Sequence, residues 1–310
     1  MKPNIFGSQL SLLLITALAA SAATEERLNK RFAVQPGGAV VVEVEFGSVN
    51  VSTNATSEVV VDVWRKVGRR STANEEAFLR DHPVTFTQDG NTVTIQSHGD
   101  SRSPRSWFGR NSNEARYTIS VPARFSARLR TGGGAVDVAG LTGEVKGDTG
   151  GGSVKLGACD GALSLRTGGG SIEANASSGT LDATTGGGSV TVREFQGPAR
   201  VHTGGGGLTL EKVQGALEGS TGGGSISAVL TSELSGPVKL STGGGGITVN
   251  VPATVAFNLD ARTGGGGVST EFPVAVVGKI QPSHLEGPVN GGGKKVELRT
   301  GGGGIHLKKL

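Results

Sequence analysis

Runs of glycine are the most frequent feature of this sequence that could bind a ligand, because glycine-rich loops can cradle phosphate groups. The tetrapeptide Thr-Gly-Gly-Gly occurs nine times, and it begins at Thr131, Thr149, Thr167, Thr185, Thr203, Thr221, Thr242, Thr263 and Thr300. A phosphate loop requires a helix after the glycines, so that the helix N-terminus meets the anion. Here each run precedes alternating apolar and polar residues, which predict a strand. The glycine runs are therefore interpreted as structural corners.

Acidic side chains offer a second possible chemistry, since a polysaccharide hydrolase or lyase needs two carboxylates in acid and base roles. Asp137, Glu144 and Asp148 fall in the first regular repeat. Lys146 and Lys155 lie near them in the sequence, which favours a solvated charged face over a catalytic pair. The Gly-x-Ser-x-Gly motif of serine hydrolases does not occur.

Metal-binding patterns are also missing from the sequence. The five histidines, at positions 82, 98, 202, 284 and 306, lack the spacing of zinc ligands. Calcium-binding β-rolls require an aspartate at a fixed place in every repeat, and only Asp137 approaches that pattern. Cys159 aligns with Phe195 and Val213 of later repeats, so we expect it to be a buried packing residue. We therefore expect no cofactor and no metal.

The segment 98–114 differs from the repeats, because it combines arginines and aromatic residues in a stretch rich in serine and asparagine. Its candidate partner-contact residues are Arg102, Arg105, Trp107, Phe108 and Arg110. Such side chains stack on sugars or bind anionic polymers. The alternative is that Trp107 and Phe108 pack against the N-terminal part of the chain.

The spacing of the glycine runs predicts the fold. The first six copies are 18 residues apart, and a fixed period near that length indicates one small unit stacked on copies of itself. Five residues after each threonine stands an aliphatic residue, and apolar and polar residues alternate around it. Each unit therefore contains a strand, a glycine turn, a second strand and a Thr-Gly-Gly-Gly corner. The sequence predicts an all-β protein, a parallel β-solenoid (β-helix) of about 18-residue coils.

The same alternation predicts that the corner threonines point inward, where their hydroxyls can bond to a threonine or to the backbone of a neighbouring coil. We expect the corner glycines to supply positive φ angles and close approach between coils. Nine coils stacked at about 4.8 Å give a rod about 40 Å long. Lys308 and Lys309 are expected on the last strand of the stack, where charge discourages edge-to-edge aggregation.

The chain divides into three parts. Residues 1–23 contain a lysine, a short apolar run and small residues, the pattern of a secretory signal peptide. Residues 24–130 are expected to form an N-terminal β-rich cap with one short helix and a degenerate first coil. Residues 131–310 form the Thr-Gly-Gly-Gly solenoid, with a long insertion at 271–299 where the repeat lengthens.

Three local patterns describe the cap. The sequence Thr72-Ala73-Asn74-Glu75 resembles a capping box ahead of a helix that ends near Arg80. The runs 84–88 and 92–97 flank Asp-Gly-Asn, which predicts a hairpin. Residues 40–51 copy the strands of the later coils and predict the degenerate coil.

Composition excludes several classes of protein. The 54 glycines are incompatible with a helical bundle, because each interior glycine costs about 1 kcal/mol relative to alanine. A hydrophobic content of 35% with a net charge of +4 does not fit a disordered chain. The single cysteine excludes an internal disulfide. No apolar run after residue 23 is long enough for a transmembrane helix. From the signal-peptide pattern of residues 1–23 we expect an exported chain, periplasmic or secreted.

Several motifs together resemble a known family. These are Gly-Gly-Ala-Val-Val-Val-Glu-Val at 37–44, Tyr-Thr-Ile-Ser-Val-Pro at 117–122, the serial Thr-Gly-Gly-Gly-Ser-Val, and Gly-Pro-Val-Asn-Gly-Gly-Gly at 287–293. The chain resembles, over about residues 32–310, the bacterial candidate-adhesin family DUF4097 of β-strand-repeat proteins. The resemblance implies an exported β-solenoid of the cell envelope. The family pattern contains no catalytic residue, so none is assigned to this chain.

The favoured function is therefore a non-enzymatic adhesin or structural interaction module of the bacterial envelope, whose partner is a polysaccharide or a protein. A carbohydrate-active β-helix enzyme is the alternative. A third hypothesis is an ice-binding column of hydroxyls, at Thr191, Thr209, Ser227, Thr248 and Ser269. No nucleic acid partner is expected, and the oligomeric state is left open.

Overall fold

The computed structural model describes residues 24–68, 71–99, 112–231, 233–275 and 281–310. In these residues two long sheets, each of thirteen strands, face one another across a single hydrophobic core. Neighbouring strands are parallel except at the ends of the sheets. The prediction of an all-β parallel solenoid is confirmed. The predicted signal peptide, residues 1–23, lies outside the described residues.

The first sheet contains thirteen strands, here in spatial order: β1 (Thr24–Ala33), β4 (Glu58–Gly68), β7 (Ser112–Pro122), β3 (Ser48–Asn54), β9 (Val136–Ala139), β11 (Val154–Gly157), β13 (Ile172–Asn175), β15 (Val190–Arg193), β17 (Leu208–Glu211), β19 (Ile226–Val229), β21 (Ile247–Val251), β26 (Ile305–Lys309) and β23 (Val268–Thr270). The second sheet runs β24 (His284–Val289), β22 (Phe257–Thr263), β25 (Lys294–Thr300), β20 (Val238–Thr242), β18 (Leu217–Thr221), β16 (Ala199–Thr203), β14 (Ser178–Thr185), β12 (Asp160–Thr167), β10 (Val145–Thr149), β8 (Phe125–Thr131), β2 (Gly38–Val44), β6 (Thr92–Ser97) and β5 (Val84–Asp89). One helix, α1 (Thr72–Asp81), completes the described elements.

Each coil contributes one strand to each sheet, and alternate residues face the core. In β15, Val190 and Val192 are buried while Thr191 lies between them on the outer face. In the strand that precedes the corner, β14, Leu181 and Ala183 are buried in the same way. The next coil repeats this pattern 18 residues later, as Val190 pairs with Leu208. The alternation read from the sequence is confirmed.

The corner threonine links each coil to the one before it. Thr185 is buried, and its hydroxyl donates a hydrogen bond of 2.8 Å to the carbonyl oxygen of Gly170 in the preceding coil. The hydroxyl oxygen of Thr185 in turn accepts a bond of 3.2 Å from the backbone N–H of Gly188. Corresponding pairs of bonds occur at the other eight corners. The predicted inward orientation is confirmed, and the acceptor is backbone rather than a second threonine.

The corner glycines are required by close approach, whereas the expected positive φ angles are wrong. A Cβ on Gly188 would lie 2.0 Å from the carbonyl oxygen of Gly170, but a Cβ on Gly187 would lie 4.0 Å from its nearest neighbour. No described corner glycine of the nine repeats has a left-handed φ. That conformation occurs elsewhere in the coil, for example at Gly197 and at the non-glycine residue Glu194. The middle glycine therefore has room for a side chain.

The last coil of the sequence is not the last coil of the stack. β25 pairs with β20 on one side and β22 on the other, and β26 lies between β21 and β23. The C-terminal coil is thus inserted between the coils that contain Thr242 and Thr263. The expectation that Lys308 and Lys309 protect an edge is wrong, because β23 forms that edge of the first sheet.

The N-terminal residues extend both sheets. β2 and β3 form the predicted degenerate coil, since Val44 pairs with Thr131 and Val49 with Val136. The predicted hairpin is confirmed as β5 and β6. The helix is also confirmed, but its N-cap is Ser71, whose side chain accepts from the backbone N–H of Asn74.

Two strands of this region differ from the sequence-based prediction. β1 was not predicted as a strand, because its residues alternate polar types with few apolar ones. β7 begins at Ser112, earlier than the predicted Arg116, because antiparallel pairing with β4 orders its polar start.

Replacing Thr185 by Val should lower the free energy of unfolding by about 1–3 kcal/mol. The substitution keeps the shape of the side chain but leaves the buried carbonyl of Gly170 and the N–H of Gly188 without their partner. Chemical denaturation of the purified chain measures the change. Thr191→Val, on the outer face of the first sheet, is the matched control and should leave stability within about 0.5 kcal/mol. Equal stability of both variants would show that the corner hydroxyl contributes nothing.

The two glycines Gly187 and Gly188 should respond oppositely to alanine. Gly188→Ala forces a Cβ into the backbone of the preceding coil and should destabilise the fold by about 1–3 kcal/mol. Gly187→Ala should leave the stability of the fold unchanged or raise it slightly. The site has room for a Cβ, and alanine lowers the conformational entropy of the unfolded chain relative to glycine. Thermal melting of the two variants side by side distinguishes them. A destabilised Gly187→Ala protein would contradict the assignment.

Candidate functional site

The sequence-derived contact residues Arg102, Arg105, Trp107, Phe108 and Arg110 lie outside the described residues. The segment that contains them leads into β7 at Ser112. The outer face of β7 and its neighbours is therefore the part of the described structure nearest in sequence to that segment.

A partly exposed tryptophan lies at the centre of that face. β1, β4 and β7 are antiparallel neighbours, and Trp64 on β4 lies directly between Arg27 on β1 and Arg116 on β7. The strand alternation turns Val63 and Arg65 inward, so Trp64 is on the outer face and partly exposed. Both arginines are exposed. We call this surface, with Arg27, Trp64 and Arg116 in one row, the Trp64 platform.

Carboxylates and amides surround the platform. The indole N–H of Trp64 donates a hydrogen bond of 3.2 Å to Glu25 Oε2, which fixes one edge of the ring. The guanidinium of Arg27 lies 3.6 Å from the same carboxylate. The row and its neighbours enclose a shallow depression of about 580 Å³, whose other polar lining residues are Asn29, Asp62, Glu114 and Thr118. The depression therefore offers one aromatic ring surrounded by hydrogen-bond donors and acceptors, some of them charged and some neutral.

A buried arginine holds the platform strands together from below. Arg65, fully buried on the inner face of β4, donates from Nε to Glu26 Oε2 on β1 at 2.7 Å. Its Nη1 donates to the backbone carbonyl of His82, just after α1, at 2.6 Å. Glu75 of α1 accepts bonds from the backbone N–H and hydroxyl of Thr24. These bonds tie β1, β4 and α1 into one unit, so the outer side chains are presented by a rigid support.

The carboxylates proposed for acid–base catalysis do not form a pair. Asp137 lies on the first sheet, whereas Glu144 and Asp148 precede or occupy β10 of the second sheet. Glu144 is bonded to Lys146 at 2.5 Å, and this hydrogen bond is the main reason that its pKa lies below the usual value. A carboxyl with a lowered pKa is a poor general acid near neutral pH. The interpretation as a charged face agrees with this geometry.

A charge cluster at the end of the second sheet was missed by the sequence reading. Asp260, His284 and Glu286 bring three potential metal-ligand atoms within 4.8 Å of one another. Asp260 is nevertheless occupied by cations, since Arg262 Nε lies 2.9 Å from Oδ1 and Lys295 Nζ lies 3.7 Å from Oδ2. The hydrogen bond to Asp260 is the main cause of the raised pKa of Arg262. We interpret the cluster as an ion-pair network, in which Arg262 and Lys295 supply the positive charge next to Asp260 that a metal ion would otherwise supply.

This cluster continues a column of outward side chains that crosses the second sheet. The charge column comprises, in spatial order, Arg128, Lys146, Ser164, Asp182, Arg200, Glu218, Lys239, Glu297, Asp260 and Glu286. Neighbours of opposite sign pair within it, as Arg200 does with Glu218 at 3.1 Å. A trough of about 680 Å³ runs beside the column over small residues such as Ala162, Pro198 and Ala216.

The remaining candidates have structural environments. Cys159 is buried as predicted, and burial raises the pKa of its thiol, which makes the nucleophilic thiolate scarce. His202 bonds Ser220 at 2.8 Å, and His306 bonds Ser269 at 2.7 Å. Over the described ranges, no helix has the length and apolar character needed to cross a membrane.

The solved structures that match this chain have low sequence identity to it and low TM-scores. A candidate cell adhesion protein from Clostridium sporogenes is 14% identical, with a TM-score of 0.26, and the match covers 92% of this chain and 100% of that one. A candidate adhesin from Bacteroides fragilis is 11% identical, with a TM-score of 0.39 and coverage of 92% and 97%. A candidate lipid-binding protein from Parabacteroides distasonis is 13% identical, with a TM-score of 0.36 and coverage of 90% and 96%.

Comparison with curated proteins finds no match. The family model described as Toastrack DUF4097, in contrast, matches residues 40–308, which include every described strand except β1 and the outer ends of β2 and β26. The chain therefore belongs to the Toastrack family, DUF4097.

Proposed function

We propose that this chain is an exported, non-enzymatic interaction module of the bacterial cell envelope, of the adhesin class, and that it binds an envelope or extracellular polysaccharide on the Trp64 platform. The observation that carries the proposal is the partly exposed Trp64, held between two exposed arginines on a rigid antiparallel support. Membership of the Toastrack family supports the envelope assignment.

The composition of the platform favours a hydroxyl-rich ligand. A tryptophan ring offers a flat apolar surface, and the surrounding side chains offer both donors and acceptors, which suits the alternating faces and edges of sugar rings. Glu25, Asp62 and Glu114 place three carboxylates around two arginines, and this mixture opposes binding of a polyphosphate. The row Arg27, Trp64, Arg116 crosses three strands and is about 10 Å long, enough to contact more than one sugar ring.

Export is supported by residues 1–23, which have the pattern of a signal peptide. The fold is compatible with an exported chain that has no internal disulfide, because the coils are held by backbone ladders and corner hydrogen bonds. Fractionation of the producing cells measures whether the mature chain is periplasmic or secreted.

Replacing Trp64 by Ala should weaken retention on the polysaccharide by at least about tenfold, because truncation of a tryptophan at the centre of a binding surface typically costs about 2 kcal/mol or more. Affinity electrophoresis of the purified chain in gels containing envelope or extracellular polysaccharides measures the effect. Arg116→Ala should weaken binding less, and Lys155→Ala, an exposed cation on the same sheet, is the control that should bind as wild type. Arg105→Ala and Trp107→Ala test the sequence-derived segment in the same gels.

Two outcomes would contradict the proposal. If Trp64→Ala folds normally, as judged by its melting temperature, and still binds as wild type, the platform is not the binding surface. If incubation with the polysaccharide releases reducing ends or unsaturated products, the chain is a carbohydrate-active enzyme. Retention without turnover is the expected result.

A further inference from the structure

The charge column on the second sheet has an order that repetition alone does not require. Its four middle members, Asp182, Arg200, Glu218 and Lys239, alternate in sign. Beyond them, Arg128 is exposed toward one end, and Glu286 is exposed at the other, where Arg262, Lys295 and Arg299 neutralise Asp260 and Glu297. The column lies on a face that neither the cap nor the Trp64 platform covers.

We propose that a second copy of this chain packs against the outer face of the second sheet, with the two solenoids antiparallel and related by a two-fold axis between Arg200 and Glu218. This interaction goes beyond the proposed polysaccharide binding and uses a different surface. The axis lies parallel to the strands. Rotation about it reverses the order of the coils in the second copy, but it leaves each position along a strand unchanged, so the charge column of one copy faces the charge column of the other. The interface is then isologous, the commonest arrangement in homodimers.

Complementary charge is the observation that selects this arrangement. With the axis between Arg200 and Glu218, each faces the other residue of the second copy, and Asp182 faces Lys239. Farther out, Arg128 faces Glu286, whose side chain is 60% exposed. Ser164 and Lys146 face Glu297 and Asp260, but these two carboxylates are mostly covered and already paired with Lys295, Arg299 and Arg262, so they add no charge contact. Three of the five opposed positions therefore join opposite charges. Like charges directly opposed in such an interface would oppose association, so the complementary charges select this register.

Other arrangements of the same face bring like charges together. Moving the axis by half a coil, onto Arg200, sets Arg200 against itself and Asp182 against Glu218. A parallel dimer sets every member of the column against its own copy. One antiparallel register therefore satisfies the column, and the neighbouring registers do not.

The size of the face and its shape are sufficient for a stable contact. Ten strands at about 4.8 Å, each about five residues wide, give an area on the order of 700 Å² per copy, close to that of a standard protein interface. Beside the axis, the trough over Pro198 and Ala216 presents small apolar groups that permit close packing. The exposed pair Arg166 and Arg299 becomes the one like-charge contact, at the rim, where solvent screens it.

The existing ion pairs do not prevent this association. Arg200 and Glu218 bond within one chain, but the Arg200 side chain is 71% exposed, so it can also contact a carboxylate of the second copy. Glu286 is 60% exposed at the acidic end. Such exposed ion pairs contribute little to the stability of one chain. In the interface each of their charges can also contact an opposite charge of the second copy.

Two reciprocal variants test the register without relying on a change in folding. Asp182 and Lys239 are three coils apart in one chain, about 14 Å, so they do not pair with each other within it, although Lys239 lies 3.8 Å from Glu218. In a dimer of the Asp182→Lys variant, the new lysine of each copy faces Lys239 of the other copy. In a dimer of the Lys239→Asp variant, the new aspartate of each copy faces Asp182 of the other copy. Each variant alone should dimerise at least about tenfold more weakly than wild type in analytical ultracentrifugation. An equimolar mixture should regain dimers, because each interface contact then joins a lysine to an aspartate.

Lys212→Glu is the matched control, since Lys212 is an exposed cation in a turn that leaves the second sheet face untouched. It should dimerise as wild type, and high salt should weaken the wild-type dimer. A wild-type chain that stays monomeric, single variants that dimerise normally, or a mixture that remains monomeric would each overturn the proposal. Polysaccharide retention measured on the same variants should be unchanged, which separates this result from a failure of the Trp64 platform.

Discussion

The structure depends on the short distance between successive corners. At each corner a buried threonine hydroxyl bridges two coils, and the glycines on either side of the open middle position let one backbone touch the next. The two requirements reinforce each other, because the hydroxyl can reach the carbonyl of the preceding coil only if no Cβ separates the backbones. Hydrogen bonds alone contribute about 1 kcal/mol each, but an unmatched buried carbonyl costs more. The corner therefore keeps the same backbone shape along the stack. In the degenerate coil, Phe46 occupies the position of the middle glycine, which has room for a side chain.

Stacking at a fixed spacing converts sequence positions into columns of side chains. Residues 18 apart become neighbours at about 4.8 Å, so any regular choice at an outward position produces a line of similar or opposed groups. The inner columns form the continuous core, in which Val190 lies against Leu208 and the corner threonines lie in a row. The outer columns form the charged face of the second sheet. A rigid surface of this kind suits contacts with extended or repetitive partners better than it suits catalysis, which needs converging groups in a concavity.

The two ends of the stack differ from its middle, and they hold the features without a repeat. At the N-terminal end, antiparallel strands β1, β4 and β7 place Trp64 between two arginines, and Arg65 secures them from below. At the other end, the insertion of the last coil brings Lys295 beside Asp260 and builds an ion-pair network. Both assemblies unite residues from strands that are distant in sequence. The regular coils between them provide the length and rigidity that hold these ends in fixed positions.

Local patterns of residues were enough to predict the repeating part of this protein. The period, the alternation around residues such as Val190 and the glycines at the corners are local patterns, and each has one structural solution when copies stack. The helix and the hairpin of the cap were predicted for the same reason, although the N-cap proved to be Ser71. Tertiary structure decided the order of the last coils, the strand β1, the row around Trp64 and the cluster at Asp260. These depend on which distant strands pair, and pairing partners are selected by the packing of the whole stack rather than by any local pattern of residues.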